Sequence, residues 1–118
     1  MPTDSTDTRA RLPITREGRV HKIKLGTDSL YVVVNTDGAG KVREVFGHGD
    51  GGCKPELDGL CGLASIGLQY GAPLAKIVKF LRKRNYPPHG GPGQPKSISD
   101  ALATVLDEYV PQEEKQWQ

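Results

Sequence analysis

The chain is predicted to be an α+β protein, an antiparallel sheet of about three strands followed by two or three packed helices. Three observations carry this reading. Apolar residues interleave with polar ones up to residue 46, whereas beyond residue 53 they recur with the period of a helix. There are also 15 glycines and 9 prolines among 118 residues, which suits short elements joined by tight turns.

Val20, Ile23 and Leu25 interleave with His21, Lys22 and Lys24, giving a half-exposed strand over 19–25. Gly26-Thr27-Asp28-Ser29 supplies turn chemistry. Leu30-Tyr31-Val32-Val33-Val34 is the densest β-branched and aromatic run, as a mid-sheet strand requires. Asp37-Gly38-Ala39-Gly40 reads as a hairpin loop, and 41–46 returns with Val42, Val45 and Phe46 to complete a meander. Further on, Leu57, Leu60, Cys61, Ala64 and Leu68 share one helical face that Leu63 and Ile66 widen, so a helix over 57–70 is expected to be covered on more than one side. Gly71 stops it. Pro73 opens a second helix over 73–84, with Leu74, Ile77, Val78 and Leu81 at i, i+3, i+4 and i+7, and both helices are expected to pack on the sheet. Residues 85–95 hold four prolines and three glycines and form an irregular loop. Ser97 or Ser99 then caps a third helix, Asp100 forms a capping-box-like pair with Ser97, and Leu102, Val105, Leu106 and Tyr109 make its buried stripe up to Pro111. The domain is thus expected over 18–110, between an extended or disordered tail at 1–17 and a polar tail at 111–118.

Composition excludes several classes. No apolar run reaches the roughly 20 residues that span a membrane, and residues 1–10 lack a secretory pattern, so a cytoplasmic location is expected, the host cytoplasm for a viral protein. Cys53 and Cys61 build no disulfide framework and are read as reduced. A net charge of +2 does not by itself imply nucleic-acid binding, so any electrostatic argument rests on where charges cluster. His48, Cys53, Cys61 and His89 have no metal-binding spacing, and no nucleophile elbow or phosphate-binding Gly-Lys-Ser/Thr loop is present.

Two segments remain as candidate sites. The four glycines between Gly47 and Cys53 either present backbone amides to an anion or simply permit a tight strand-to-helix turn. Lys76, Lys79, Arg82, Lys83 and Arg84 crowd the second helix, with Arg43, Lys41 and Lys54 as possible additions, and either hold phosphates or form an ordinary solvated face. Phe80 lies off the apolar stripe beside Arg84 and Asn85, where it can stack on a base or pack against a partner subunit. The expected ligand site is Phe80, Arg84, Asn85 and the loop through His89, assisted by Arg43 or Lys79 of the same or a neighbouring subunit. Its expected ligand is a nucleotide or a nucleotide-derived small molecule, with no cofactor.

Residues 19–110 resemble the TSCPD domain found at the carboxyl-terminal end of cobalamin-dependent ribonucleotide reductases. The likeness rests on His21-Lys22-Ile23-Lys24, the run Leu30 to Asn35, Arg43-Glu44-Val45-Phe46, Gly51-Gly52-Cys53, the helix from Leu57, Gly71-Ala72-Pro73-Leu74 and Ser97 to Leu102. Where the family's naming motif stands, this chain has Lys96-Ser97-Ile98-Ser99-Asp100, keeping the serine and the aspartate without the cysteine or the proline. The chain has no room for a radical-generating barrel, so the resemblance implies a non-catalytic nucleotide-binding or regulatory module. Its partners would be a nucleotide and possibly a separate reductase subunit. The layout is also similar to that of small viral anti-defence proteins of the Thoeris type, which sequester cyclic nucleotide or cyclic ADP-ribose signals. An oligomerising scaffold without ligand is the third reading. Because the first helix is apolar around most of its surface, a homo-oligomer is expected.

Overall fold

Alternation and β-branching produce three antiparallel strands, β1 (Glu17–Leu25), β2 (Asp28–Thr36) and β3 (Val42–Gly49), paired in the order β1-β2-β3. Three helices follow, α1 (Lys54–Gln69), α2 (Leu74–Leu81) and α3 (Ile98–Asp107), then a 3-10 helix at Gln112–Trp117. The computed structural model describes residues 9–10, 12–49 and 54–117. The expected α+β meander followed by two or three helices is what forms, with three α-helices. None of these helices is long and apolar enough to cross a membrane.

The sheet is one-sided. Leu30, Val32 and Val34 of β2 are fully buried, facing Leu57 and Cys61 of α1 and Leu102 and Leu106 of α3 in one core. Each such leucine gains about 1.5–3 kcal/mol from burial, so this face dominates the fold's stability. α1 lies so close to β3 that a Cβ on Gly47 would stand 2.4 Å from Leu57 Cγ, which explains a glycine inside a strand. The Ser65 hydroxyl of α1 accepts from the Val45 amide at 2.8 Å and donates to the Val45 carbonyl at 3.0 Å. Gln69, one turn later, donates to the Arg43 carbonyl at 3.2 Å. These three groups lie on the edge of β3 away from β2, so α1 satisfies backbone atoms that the sheet leaves over.

α1 ends as Gly71 predicts. Gly71 adopts φ 97, its amide donates to the Leu68 carbonyl, and the Ala72 amide reaches the Gly67 carbonyl, the pair of bonds that closes a helix through a left-handed residue. Pro73 then caps α2 without a side-chain bond. The missing acceptor comes from Glu114 in the 3-10 helix, whose Oε1 accepts from the Ala75 amide at 3.0 Å. The segment expected as a polar tail at 111–118 therefore includes a helical turn docked on α2.

Two expectations need correction. α2 does not extend to residue 84: Arg82 is already extended and Lys83 turns to φ 60. Nor does α2 lie on the sheet. It packs on α3 and the 3-10 helix, while α3 reaches β1 and β2. The reason is the knot at the start of α3. Ser97 Oγ accepts from the Asp100 amide, buried Ser99 donates to the Leu81 carbonyl at 2.7 Å, and the Asp100 carboxylate accepts from the Lys83 amide at 2.6 Å and the Lys96 amide at 2.9 Å. These bonds fix the end of α2 against α3, which leaves α3 next to the strands. The irregular loop between them is ordered too, with Gln94 Oε1 accepting from the Gly26 and Gly91 amides and Tyr86 donating to Glu56.

Candidate ligand-binding site

The period of α2 places Leu74, Val78 and Leu81 inside, which turns Phe80 outward, and its ring side chain is 69% exposed. Arg84 lies across it. The guanidinium carbon sits 4.2 Å from the ring centroid, and Nε donates to the Phe80 carbonyl at 2.6 Å. Phe80 lines an apolar groove of about 400 Å³ between α1 and α2, together with Leu60, Leu63, Ile77 and Lys76. Leu63 is 71% exposed, so the groove opens directly to solvent.

The expected site is thus brought together only in part. Phe80 and Arg84 meet, and Asn85 follows in the exposed segment. His89 does not reach them: its Nδ1 is 3.0 Å from the Lys96 carbonyl and its own carbonyl lies near Gly26. Lys79 is exposed on α2 outside the groove lining. Arg43 belongs elsewhere. Its Nε binds Asp37 at 3.0 Å and its Nη1 donates to the Leu68 carbonyl at 2.7 Å, beside a separate cavity of about 220 Å³ lined by Lys41, Tyr109 and Glu114. Arg43 therefore ties the β2–β3 hairpin to the end of α1. Burial opposes the charge on Asp37, but the bonds from Arg43, Lys41 and Ala39 outweigh it and lower its carboxyl below the usual 3.8.

Sequence reasoning missed the α1 wall of the groove. In the sequence Leu63 reads as the widening of a core stripe, and Lys76 as one cation among five. The signal was the excess of apolar residues on α1 over what one sheet can cover. The possible anion loop at Gly47 to Cys53 falls largely outside the described residues. Among the described residues no group of three potential metal ligands occurs. The Cys61 thiol is pushed up to about 12 by burial, with the charge of Asp58 adding to it, so it carries no thiolate near neutral pH.

A family model described as the TSCPD domain matches residues 7–110. A vitamin B12-dependent ribonucleotide reductase from Agrobacterium fabrum (strain C58 / ATCC 33970) is 30% identical over 105 residues, covering 86% of this chain but 8% of the reductase. No solved structure gives a significant match.

Proposed function

Because this chain belongs to the TSCPD domain family, we propose that it is a non-catalytic nucleotide-binding module related to ribonucleotide reductase. The observation that carries the proposal is the exposed Phe80 ring, covered by Arg84 and lining an apolar groove. A base stacks on the ring or on the guanidinium plane, and its sugar lies over Ile77 and Leu63. Arg84 uses only Nε for the Phe80 carbonyl, and its terminal N–H groups suit a phosphate.

Titration calorimetry against mononucleotides, cyclic oligonucleotides and ADP-ribose derivatives tests the reading. Phe80→Ala and Arg84→Ala are each expected to weaken binding by about 1–3 kcal/mol while the protein stays folded. If nothing in the panel binds, the nucleotide reading fails.

One observation favours a second reading. Leu63, Ile66 and Phe80 are 71%, 56% and 69% exposed, more apolar surface than two neighbouring helices usually leave wet. A homo-oligomeric scaffold, or docking on a separately encoded reductase subunit, would cover this face. A monomeric mass by light scattering at micromolar concentration, with no co-purifying reductase, removes that alternative.

A further inference from the structure

The core occupies one face of the sheet, and among the described residues no helix packs on the other. Side chains alternate across a strand, so Tyr31, Val33 and Asn35 stand opposite to Leu30, Val32 and Val34. Register sets their neighbours. Tyr31 lies between Lys22 and His48, Val33 between Val20 and Phe46, and Asn35 between Gly18 and Glu44. Phe46 is 53% exposed and Val20 67%, while Lys22, Lys24 and His48 are exposed as well. Lys22 Nζ is 5.9 Å from the Tyr31 ring centroid, and the Tyr31 and His48 rings are 6.4 Å apart.

We propose that this open sheet face binds single-stranded DNA, with Tyr31 and Phe46 as stacking platforms for neighbouring bases and Lys22 and Lys24 against the phosphates. The two aromatic residues sit diagonally on paired strands, where side chains are typically about 7–8 Å apart. That exceeds the rise of about 3.4 Å per nucleotide in a duplex, so the bases it accepts are splayed, as only a single strand allows. Charge agrees. Among the described strand residues on this face the one carboxylate, Glu44, pairs with Arg16 at 3.0 Å and accepts from Asn35 at 3.0 Å, so Lys22 and Lys24 dominate the charge that the strands present. The row beside Phe46 is Val33 and Val20, with no polar side chain to receive a 2′-hydroxyl, so deoxyribose is the better fit. The face lies across the sheet from the Phe80 groove and does not depend on it.

Fluorescence anisotropy of the whole chain with a labelled oligothymidine of about 12 nucleotides, at about 50 mM salt, tests the proposal. Binding should weaken with added salt. Phe46→Ala should cost about 5- to 100-fold in affinity. Lys22→Ala with Lys24→Ala should flatten the salt dependence, each lost phosphate contact removing about 0.7 from the logarithmic slope. Phe46 is exposed, so its variant should melt like wild type, and the lysine pair gives an answer that does not depend on it. The proposal is overturned by absence of binding, by wild-type affinity in Phe46→Ala, by oligouridine binding as tightly as oligothymidine, or by a wild-type dimer that Phe46→Ala dissociates. The last result would assign the face to a second copy of the chain.

Discussion

Removing the Asp100 carboxylate should loosen the junction between α2, the loop and α3. It accepts from two backbone amides, Lys83 at 2.6 Å and Lys96 at 2.9 Å, and so fastens both ends of the long loop to the first turn of α3. A hydrogen bond to a charged group contributes about 1.5–3 kcal/mol when well buried, and partial exposure here brings each nearer to about 1 kcal/mol. A carboxylate in the first turn of a helix adds about 0.3–1 kcal/mol through the helix dipole. Asp100→Ala is therefore expected to cost about 2–3 kcal/mol, and Asp100→Asn, which keeps an acceptor oxygen without the charge, about half of that. With a slope of about 1–2 kcal/mol per molar urea, the alanine variant should unfold about 1–3 M earlier. Hydrogen exchange supplies the local signature: the Lys83 and Lys96 amides should lose protection ahead of the core strands. An alanine variant with an unchanged urea midpoint and unchanged protection at both amides would refute the reasoning, because the carboxylate would then be a spectator.

Three further outcomes rest on other parts of the fold. Gly47→Ala should destabilise by about 1–3 kcal/mol in urea melts, because its Cβ would stand 2.4 Å from Leu57 Cγ, and a neutral result would mean that α1 can shift outward. Cys61, held up to about 12 by burial and Asp58, should resist iodoacetamide at neutral pH in the native state and react once denatured, as located by peptide mass spectrometry. The folded-state pKa of Asp37 lies below 3.8, so its contribution is present above that value and disappears as the pH falls through the lower folded-state value. Asp37→Asn should thus be less stable than wild type at pH 7, by under about 1 kcal/mol given its exposure, and the gap should close in acid; a gap that persists at the acid limit contradicts the assignment.

The sheet was legible because its evidence is local. A β-branched run, two turn sequences and alternation need no knowledge of distant residues, and the Gly71 stop and Ser97 cap were readable for the same reason. Long-range pairing was not legible. Periodicity showed that α2 had an apolar stripe but not that α3, rather than the sheet, would receive it, and the Ser99 and Asp100 bonds that decide this look in sequence like ordinary helix capping. Glu114 had every mark of a solvated tail residue until its carboxylate was found at the start of α2. In the candidate site, Phe80 and Arg84 were readable as an i, i+4 pair that a helix or its fraying end brings together. His89 and Arg43 were grouped with them by chemistry alone, and each proved to be held by a backbone carbonyl elsewhere.

The contact of Ser65 and Gln69 with β3 also limits how the molecule can grow. Their side chains occupy the outward amide and carbonyl of Val45 and the carbonyl of Arg43, so an incoming strand finds that margin already taken. Among the described strands, only β1 keeps an outer margin to which another strand could add. Two copies meeting there would each cover the other's open side and form a six-stranded sheet with a β3 strand at either edge, each carrying the Ser65 and Gln69 side chains on its margin.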